Sequence, residues 1–338
     1  MRPLGRWCAL AFLATVIPSL LLHPLRPPTL AAQTLAGQSL GDQDSDETEL
    51  WNRFNGERAF EDLVRFCEMG PRPSGSAGME AQRRWLVEHF EACGLEVFEQ
   101  KFDHDHAAYD EPVRMVNLMA RYRPELEERI LFAAHYDTRP FPDQDPTDPR
   151  GEFLGANDGA SGVAVLTEIA RLLRDSEIPL GVDLVLFDGE ELIIDRRRDP
   201  LFVGSTYFAR TYADAPDRGW FYRCGILLDM VGDARLELYY EKNSLRFAPE
   251  LVRDVWRSAD ALRIREFLPR PRHEIRDDHL PLNEIAEVPT IDILDFDYPR
   301  IGGREAYWHT REDTPDKCSA ASLEKVGRVV LHWLSRQR

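Results

Sequence analysis

The chain has 338 residues, a formal net charge of −17, and 43% hydrophobic residues, with aromatic residues at 10%. This length and apolar content can fill the core of a globular domain, which excludes a disordered protein. The acidic residues are spread along the whole chain and argue against a nucleic-acid partner, because phosphate backbones attract basic surfaces. No fixed-period repeat is visible, so solenoid and propeller folds are set aside.

The first 32 residues have the layout of a secretory signal. A short basic start precedes an apolar run at 8–22, and the small residues Ala31 and Ala32 follow several prolines. We expect export, either secreted or periplasmic, with cleavage near Ala32; the alternative is an uncleaved segment that anchors the protein in a membrane. Residues 33–50 predict a disordered linker, and residues 51–338 predict a single domain.

Four cysteines lie beyond the predicted signal, and none belongs to a Cys-x-x-Cys pattern. A thiolate zinc site or a redox motif is therefore not expected. Cys67 and Cys93 each lie near the C-terminal end of a predicted helix. Export permits a disulfide between them, and buried free thiols explain them equally well.

Hydrophobic periodicity predicts alternating helices and strands. The predicted helices are 56–67, 77–92, 163–173, 204–212, 247–262, a short segment after 281, and 319–335. The predicted strands are a hairpin-like pair at 95–102 and 113–122, then 129–134, 182–191, 225–228, 236–240 and 288–294. This alternation predicts an α/β fold, a three-layer α/β/α sandwich with a mostly parallel, mixed and twisted sheet.

Each of three buried strands runs into an acidic residue or a histidine. The strands lead to His135, to the adjacent pair Glu190 and Glu191, and to Asp229, while Asp158 precedes a helix and His309 lies in a late loop. Ligands of open α/β sheets bind beyond the carboxyl ends of the strands. We therefore expect these side chains to meet there.

Taken singly, each residue has an ordinary structural explanation, such as a hydrogen-bonded histidine, a helix cap or a solvated strand end. Together they provide the nitrogen and oxygen ligands that Zn²⁺ accepts, whereas calcium and magnesium favour oxygen alone. Asp137 follows His135 by two residues and is predicted to hold the second nitrogen of that imidazole. Spacing alone leaves the reaction open.

The motifs resemble those of the M28 zinc peptidase clan, which includes zinc aminopeptidases and the animal-type glutaminyl cyclases. The resemblance rests on His-Tyr-Asp at 135–137, Ala-Asn-Asp-Gly-Ala-Ser-Gly at 156–162, Asp-Gly-Glu-Glu at 188–191, Leu-Asp at 228–229 and Trp-His-Thr at 308–310. It covers about residues 55–338 and implies a zinc-exopeptidase-like catalytic domain with the metal at the strand ends.

The two branches of the clan imply different uses of the same residues. On the aminopeptidase pattern there are two zinc ions, one held by His135 and Asp229 and the other by Glu191 and His309, with Asp158 between them. On the cyclase pattern one zinc ion is held by Asp158, Glu191 and His309. In both, Glu190 is the base. In cyclases the equivalents of Asp229 and Asp277 form a hydrogen-bond network with it.

Three features favour the cyclase branch. They are Trp308 directly before His309, the Asp-Asp-His-Leu-Pro segment at 277–281, and Phe-Leu-Gly-Ala at 153–156. Trp308 would form a wall of the pocket for a glutamine side chain, although a core tryptophan is an equally good explanation without the resemblance.

Three features depart from the animal cyclases. Asp-Arg-Arg-Arg at 195–198 replaces a second pocket tryptophan, Ala134 and Val163 replace cysteines, and 157–162 looks more like the aminopeptidase version.

The leading hypothesis is a zinc-dependent glutaminyl-peptide cyclotransferase, in which Glu190 carries the proton from the attacking α-amine to the departing ammonia. The alternative is an aminopeptidase that uses Glu190 to activate water. A remote third hypothesis is a non-catalytic binding module on the same fold. We expect peptide or protein N-termini as substrates, no nucleic-acid partner, and a monomer.

Overall fold

The structure is a computed structural model that describes residues 49–298, 300–301 and 304–338. The predicted signal at 1–32 and the predicted linker, except for its last two residues, lie outside the described residues. All the described residues belong to one compact unit.

Eight helices and ten strands are present in the described ranges. The helices are α1 (Gly56–Glu68), α2 (Ala77–Ala92), α3 (Ser161–Leu173), α4 (Val203–Ala213), α5 (Lys242–Phe247), α6 (Pro249–Ala261), α7 (His279–Glu284) and α8 (Ala320–Ser335). The strands are β1 (Glu96–His104), β2 (Val113–Tyr122), β3 (Glu128–His135), β4 (Gly181–Phe187), β5 (Phe221–Asp229), β6 (Leu238–Tyr240), β7 (Phe267–Pro271), β8 (Thr290–Leu294), β9 (Arg300–Ile301) and β10 (Arg304–Glu305).

Six strands form the central sheet in the order β1-β2-β4-β3-β5-β8. The strands β4, β3, β5 and β8 are parallel, whereas β1 and β2 form an antiparallel hairpin that joins the sheet antiparallel to β4. Because β3, β4 and β5 run in the same direction, their carboxyl ends lie at one edge of the sheet. The mixed, mostly parallel sheet confirms the predicted fold class.

Side chains of β3 alternate between two cores, as expected for a strand buried on both faces. Ile130 and Phe132 belong to the larger core, with residues of α1, α3 and α8. Leu131 and Ala133 belong to the second core, with residues of α4 and α7. Helices therefore cover both faces of the sheet, which gives three layers.

The predicted helix at 247–262 corresponds to α6, and the short helix α5 directly before it was not predicted. Helix α5 ends at Phe247, and Pro249 occupies the first turn of α6, where its missing N–H costs no hydrogen bond. Ala248 between them has φ −138 and ψ 56, so the backbone is not helical there.

Cys67 and Cys93 are buried free thiols, so the optional disulfide between them is not formed in this structure. No helix within the described ranges is both long and apolar enough to span a membrane.

Candidate metal and active site

The turn after β4 presents Glu190 and Glu191 in two different directions. Gly189 has φ +77, and a Cβ there would lie 2.9 Å from the Met115 side chain, so this position favours glycine. The carboxylate of Asp137, two residues beyond β3, accepts hydrogen bonds from the backbone N–H of Glu190 at 3.2 Å and of Glu191 at 2.9 Å. The neighbouring strand thus fixes the turn.

This arrangement differs from the predicted role of Asp137. Its Oδ1 lies 3.7 Å from His135 Nδ1, which is too long for a hydrogen bond, and His135 Nδ1 has no hydrogen-bond partner among the described residues. Asp137 is buried beside His135, but its short hydrogen bonds go to the glutamate turn.

Asp158, Glu191 and His309 meet in one buried cluster. His309 Nε2 lies 3.1 Å from Glu191 Oε1 and 3.2 Å from Asp158 Oδ2, and the three residues offer ligand atoms that all lie within 4.8 Å of one another. His309 has φ +54, a conformation that is uncommon for a residue with a side chain and that clusters at functional sites. This is the set predicted for a single zinc ion.

His135, Asp158 and Asp229 form a second cluster next to the first. His135 Nε2 lies 3.1 Å from Asp229 Oδ1 and 3.3 Å from Asp158 Oδ1, and these ligand atoms also lie within 4.8 Å of one another. Asp158 is common to both clusters and uses a different oxygen in each. The geometry therefore matches the residue sets of both predicted branches.

The donor chemistry of the clusters fits zinc. Imidazole nitrogen and carboxylate oxygen are both present in each cluster, as zinc prefers. Buried Arg139 binds Glu191 through Oε2, which leaves Oε1 turned towards His309. Burial alone would lower the pKa of His309, but the charge of Glu191 and hydrogen bonds to Asp143, Asp158 and Glu191 raise it to about 10. A group of acids that holds an imidazolium this strongly is also suited to a cation.

All three residues of the first cluster, and Asp158 and Asp229 of the second, line one cavity of about 280 Å³, whereas His135 does not line it. Glu190, Asp229 and Asp277 line the same cavity, which places all three predicted catalytic carboxylates beside the ligand sets. Burial, followed by the charges of Glu191, Asp277 and Asp278, raises the pKa of Glu190 well above its ordinary value. Burial and the charge of Asp277 likewise raise the pKa of Asp229 to about 7, against the lowering effect of its His135 hydrogen bond. A carboxyl group with a pKa of about 7, as at Asp229, can take up and release a proton near neutral pH.

The predicted network between Glu190, Asp229 and Asp277 stays a prediction. Asp277 Oδ1 accepts a hydrogen bond from the Asp278 N–H at 2.6 Å, and its Oδ2 is buried without a partner among the described residues. An unpaired carboxylate oxygen at a cavity wall is available to a partner that the cavity admits.

Trp308 forms part of the cavity wall, as the resemblance implied. Its ring stacks on His309 with centroids 3.9 Å apart and meets Phe296 edge-on at 5.1 Å. The guanidinium of Arg196 lies 5.5 Å from the Trp308 ring centroid. The Asp-Arg-Arg-Arg segment, noted above as a departure, therefore contributes an arginine to the cavity wall beside Trp308.

Sequence reasoning missed two supporting residues. Arg139 contacts Glu191 and also Asp143, whose Oδ1 lies 3.4 Å from His309 Nδ1. Asp313 accepts hydrogen bonds from the N–H groups of Asn157 at 2.8 Å and Asp158 at 3.1 Å, and so fixes the loop before α3. Arg139 follows Asp137 by two residues, and this nearness in the sequence could have indicated that it belongs to the site. Asp313 is 155 residues from Asp158, and no local sequence pattern joins them.

Comparison with known protein families agrees with this site. The sequence profile of Peptidase family M28 matches residues 117–334, which include every predicted ligand. This chain belongs to peptidase family M28. The resemblance stated from the motifs is thereby confirmed.

Within the M28 family, the chain is similar to proteins of both branches. It is 25% identical over 278 residues to the glutaminyl-peptide cyclotransferase of Bothrops jararaca, covering 74% of this chain and 69% of that protein. The crystal structure of Fimbriiglobus ruber glutaminyl cyclase aligns with a TM-score of 0.80 and 35% identity, covering 85% of this chain and 96% of that one.

A Zn-dependent exopeptidase from Parabacteroides distasonis aligns with a TM-score of 0.77 and 29% identity, covering 84% and 99%.

Proposed function

We propose that this M28 protein is a zinc-dependent glutaminyl-peptide cyclotransferase, which converts the N-terminal glutamine of peptides or proteins to pyroglutamate and releases ammonia. Support comes from the similarity to glutaminyl cyclases, over 96% of the Fimbriiglobus ruber enzyme and 69% of the Bothrops jararaca enzyme. It comes also from a cavity that combines a His-carboxylate ligand set, an aromatic wall and several carboxyl groups with raised pKa values.

The main support for the proposal is the position of Asp277 in the cavity. Asp277 belongs to the segment that favoured the cyclase branch, and it lines the cavity with an unpartnered oxygen. The α-amine of an N-terminal residue needs acceptors beside the reacting amide, and Glu190, Asp229 and Asp277 are the acids available there. Cyclisation also requires this amine to lose a proton, for which Glu190 is placed.

The ligand set Asp158, Glu191 and His309 would hold the zinc ion, which when bound polarises the γ-amide carbonyl of the glutamine. The substrate's own α-amine attacks that carbonyl carbon, the ring C–N bond forms, and the amide C–N bond breaks. Glu190 takes a proton from the attacking amine and returns it to the departing nitrogen, which leaves as ammonia. Trp308 packs against the methylene groups of the glutamine side chain and limits access of water.

The decisive experiment is incubation of the zinc-loaded mature chain with a Gln-Ala peptide, followed by mass measurement. Loss of ammonia with an intact chain length is the expected result. Gain of water with release of free amino acids would refute the cyclotransferase proposal.

A second candidate function, M28 aminopeptidase, is favoured by one observation. His135, Asp158 and Asp229 complete a second ligand cluster, as a two-zinc enzyme requires. In the cyclotransferase proposal the protein holds one zinc ion, and His135 and Asp229 instead bond to each other at 3.1 Å. Two zinc ions per chain, measured by elemental analysis, together with hydrolysis of alanyl or leucyl substrates, would favour the aminopeptidase.

We also propose that the protein works as an exported monomer, secreted or periplasmic, or held at a membrane by an uncleaved leader. The supports are the signal-like layout of residues 1–32 and the absence of any motif for nucleic acid. Fractionation of cells that express the full chain, with size measurement of the purified product, tests this placement.

A further inference from the structure

Two arginines lie at the mouth of the cavity, above its acidic floor. Asp158, Asp229 and Asp277 are between 2% and 8% exposed, whereas the side chain of Arg196 is 46% exposed and Arg276 is exposed to solvent. All five residues line the same cavity. The carboxylates therefore lie deep in the cavity, and the guanidinium groups lie at its rim.

The two arginines differ in the ion pairs and hydrogen bonds that their side chains already make. Arg196 binds Asp143 at 2.8 Å and approaches His309 Nδ1 at 3.0 Å. Arg276 makes no ion pair or side-chain hydrogen bond within the described part of the chain. Its charge is free at the entrance of a site in a protein with a net charge of −17.

We propose that this rim selects peptides in which an acidic residue follows the N-terminal residue, with Arg276 as the main specificity-determining residue. This inference rests on the proposed function, because it takes the N-terminal glutamine to fill the cavity. A guanidinium group offers N–H donors in a planar fork that matches a carboxylate.

The position of the acidic residue in the substrate peptide follows from this arrangement of buried acids and exposed arginines. The floor holds the ligand clusters and the acids that face the reacting groups, so the first residue of the peptide occupies the buried part of the cavity. The next residue is the first that reaches the rim, where Arg276 and the ring-stacked Arg196 are exposed. The overall negative charge of the protein repels acidic peptides at a distance, and the rim offsets that repulsion locally.

The test compares kcat/KM for ammonia release from Gln-Glu-amide, Gln-Ala-amide and Gln-Lys-amide. The terminal amides make the second side chain the sole carboxylate, and Gln-Ala with a free C-terminus shows whether a backbone carboxylate serves as well. We expect Glu over Ala by about two- to fivefold, the range of a solvent-exposed ion pair, with Lys slowest. The preference should shrink as salt is raised.

Variants at Arg276 identify the source of the preference. Arg276→Gln should bring the Glu-to-Ala ratio close to one, and Arg276→Lys should restore part of it. Arg84→Gln, a change of equal charge at an exposed residue outside the cavity, should leave the ratio as in the parent.

Two failures have different meanings. Equal kcat/KM for the three amides, or a preference that survives Arg276→Gln, would overturn the specificity inference while the cyclotransferase proposal stands. Absence of ammonia release from every peptide would overturn the proposed function, and the inference with it. If Arg276→Gln lowers kcat/KM by the same factor for all three amides, then Arg276 acts by supporting the acidic residues at the bottom of the cavity. That result would also refute the inference.

Discussion

The side-chain carboxyl group of Asp292 on β8 is buried and poorly paired. It is 1% exposed, and neither of its side-chain oxygens has a hydrogen-bond partner among the described residues. The Nδ1 atom of His279 lies 3.7 Å from Asp292 Oδ2, which is too long for a hydrogen bond. Burial, followed by the charges of Asp277 and Asp229, raises the pKa of Asp292 well above its ordinary value. We therefore predict that Asp292→Asn stabilises the protein.

The magnitude follows from the two unpaired oxygens. A buried polar group without a partner costs about 1–3 kcal/mol, and an ionised one costs more. Asparagine is also a buried polar group, so it removes only the cost of the charge; because one pKa unit corresponds to about 1.4 kcal/mol, we expect a gain of about 1–3 kcal/mol at neutral pH. For a domain of this size, that corresponds to a rise in Tm of roughly 2–10 °C.

The sign of the pH dependence is fixed by the direction of the pKa shift. A carboxyl group whose folded pKa exceeds its unfolded value of about 3.9 contributes stability at lower pH, which is lost as the pH rises towards the folded pKa. The advantage of Asp292→Asn should therefore be small near pH 4 and should grow towards pH 8.

Thermal and urea denaturation of both proteins between pH 4 and pH 8 measures this difference. Asp145→Asn is the matched control with the opposite sign, because Asp145 accepts bonds from the N–H groups of Thr147, Asp148 and Arg311 and from the Thr147 hydroxyl. Those bonds keep the pKa of Asp145 low despite its burial, so this variant should be destabilised at neutral pH. A destabilised Asp292→Asn, or a gain independent of pH, would refute the reasoning.

Three further predictions concern the site. Glu190→Gln should lower kcat by about 10²- to 10⁴-fold in a steady-state assay, with zinc content unchanged, because the carboxyl group moves a proton and is not a proposed ligand. Asp158→Ala should lose zinc in elemental analysis and lose turnover together, since Asp158 belongs to both ligand clusters; a fully loaded, active variant would contradict this. Trp308→Ala should raise KM by about tenfold, with a smaller effect on kcat, through loss of apolar contact area in the cavity.

The sequence predicted the central fold because its elements have strong local signals. Strand β2 was predicted with the observed bounds, and so was α2, whose N-cap Ser76 accepts a hydrogen bond from the Met79 N–H at 3.1 Å in the structure. Strands β3, β4 and β5 were also found, because continuous apolar runs mark strands that are buried on both faces. The polar residues at their ends were therefore placed at the correct edge of the sheet.

Other parts of the site depend on contacts between distant segments, which local patterns do not contain. The bond of Arg139 to Glu191 joins the loop after β3 to the turn after β4 across 52 residues, and its strength comes from burial that only the folded chain creates. The free charge of Arg276 is likewise a result of which neighbours the fold supplies. Strand β7 was missed, because a short segment with two prolines has little strand propensity.

The two hydrogen bonds from the glutamate turn to Asp137 make one carboxylate a common anchor for two functions. Glu191 is the proposed zinc ligand and Glu190 the proposed proton carrier, and both take their backbone position from the same side chain, two residues beyond the adjacent strand β3. Metal affinity and proton transfer therefore both depend on the position of the Asp137 carboxylate. A change at Asp137 cannot adjust one without disturbing the other, so the two properties are expected to vary together among variants of this turn.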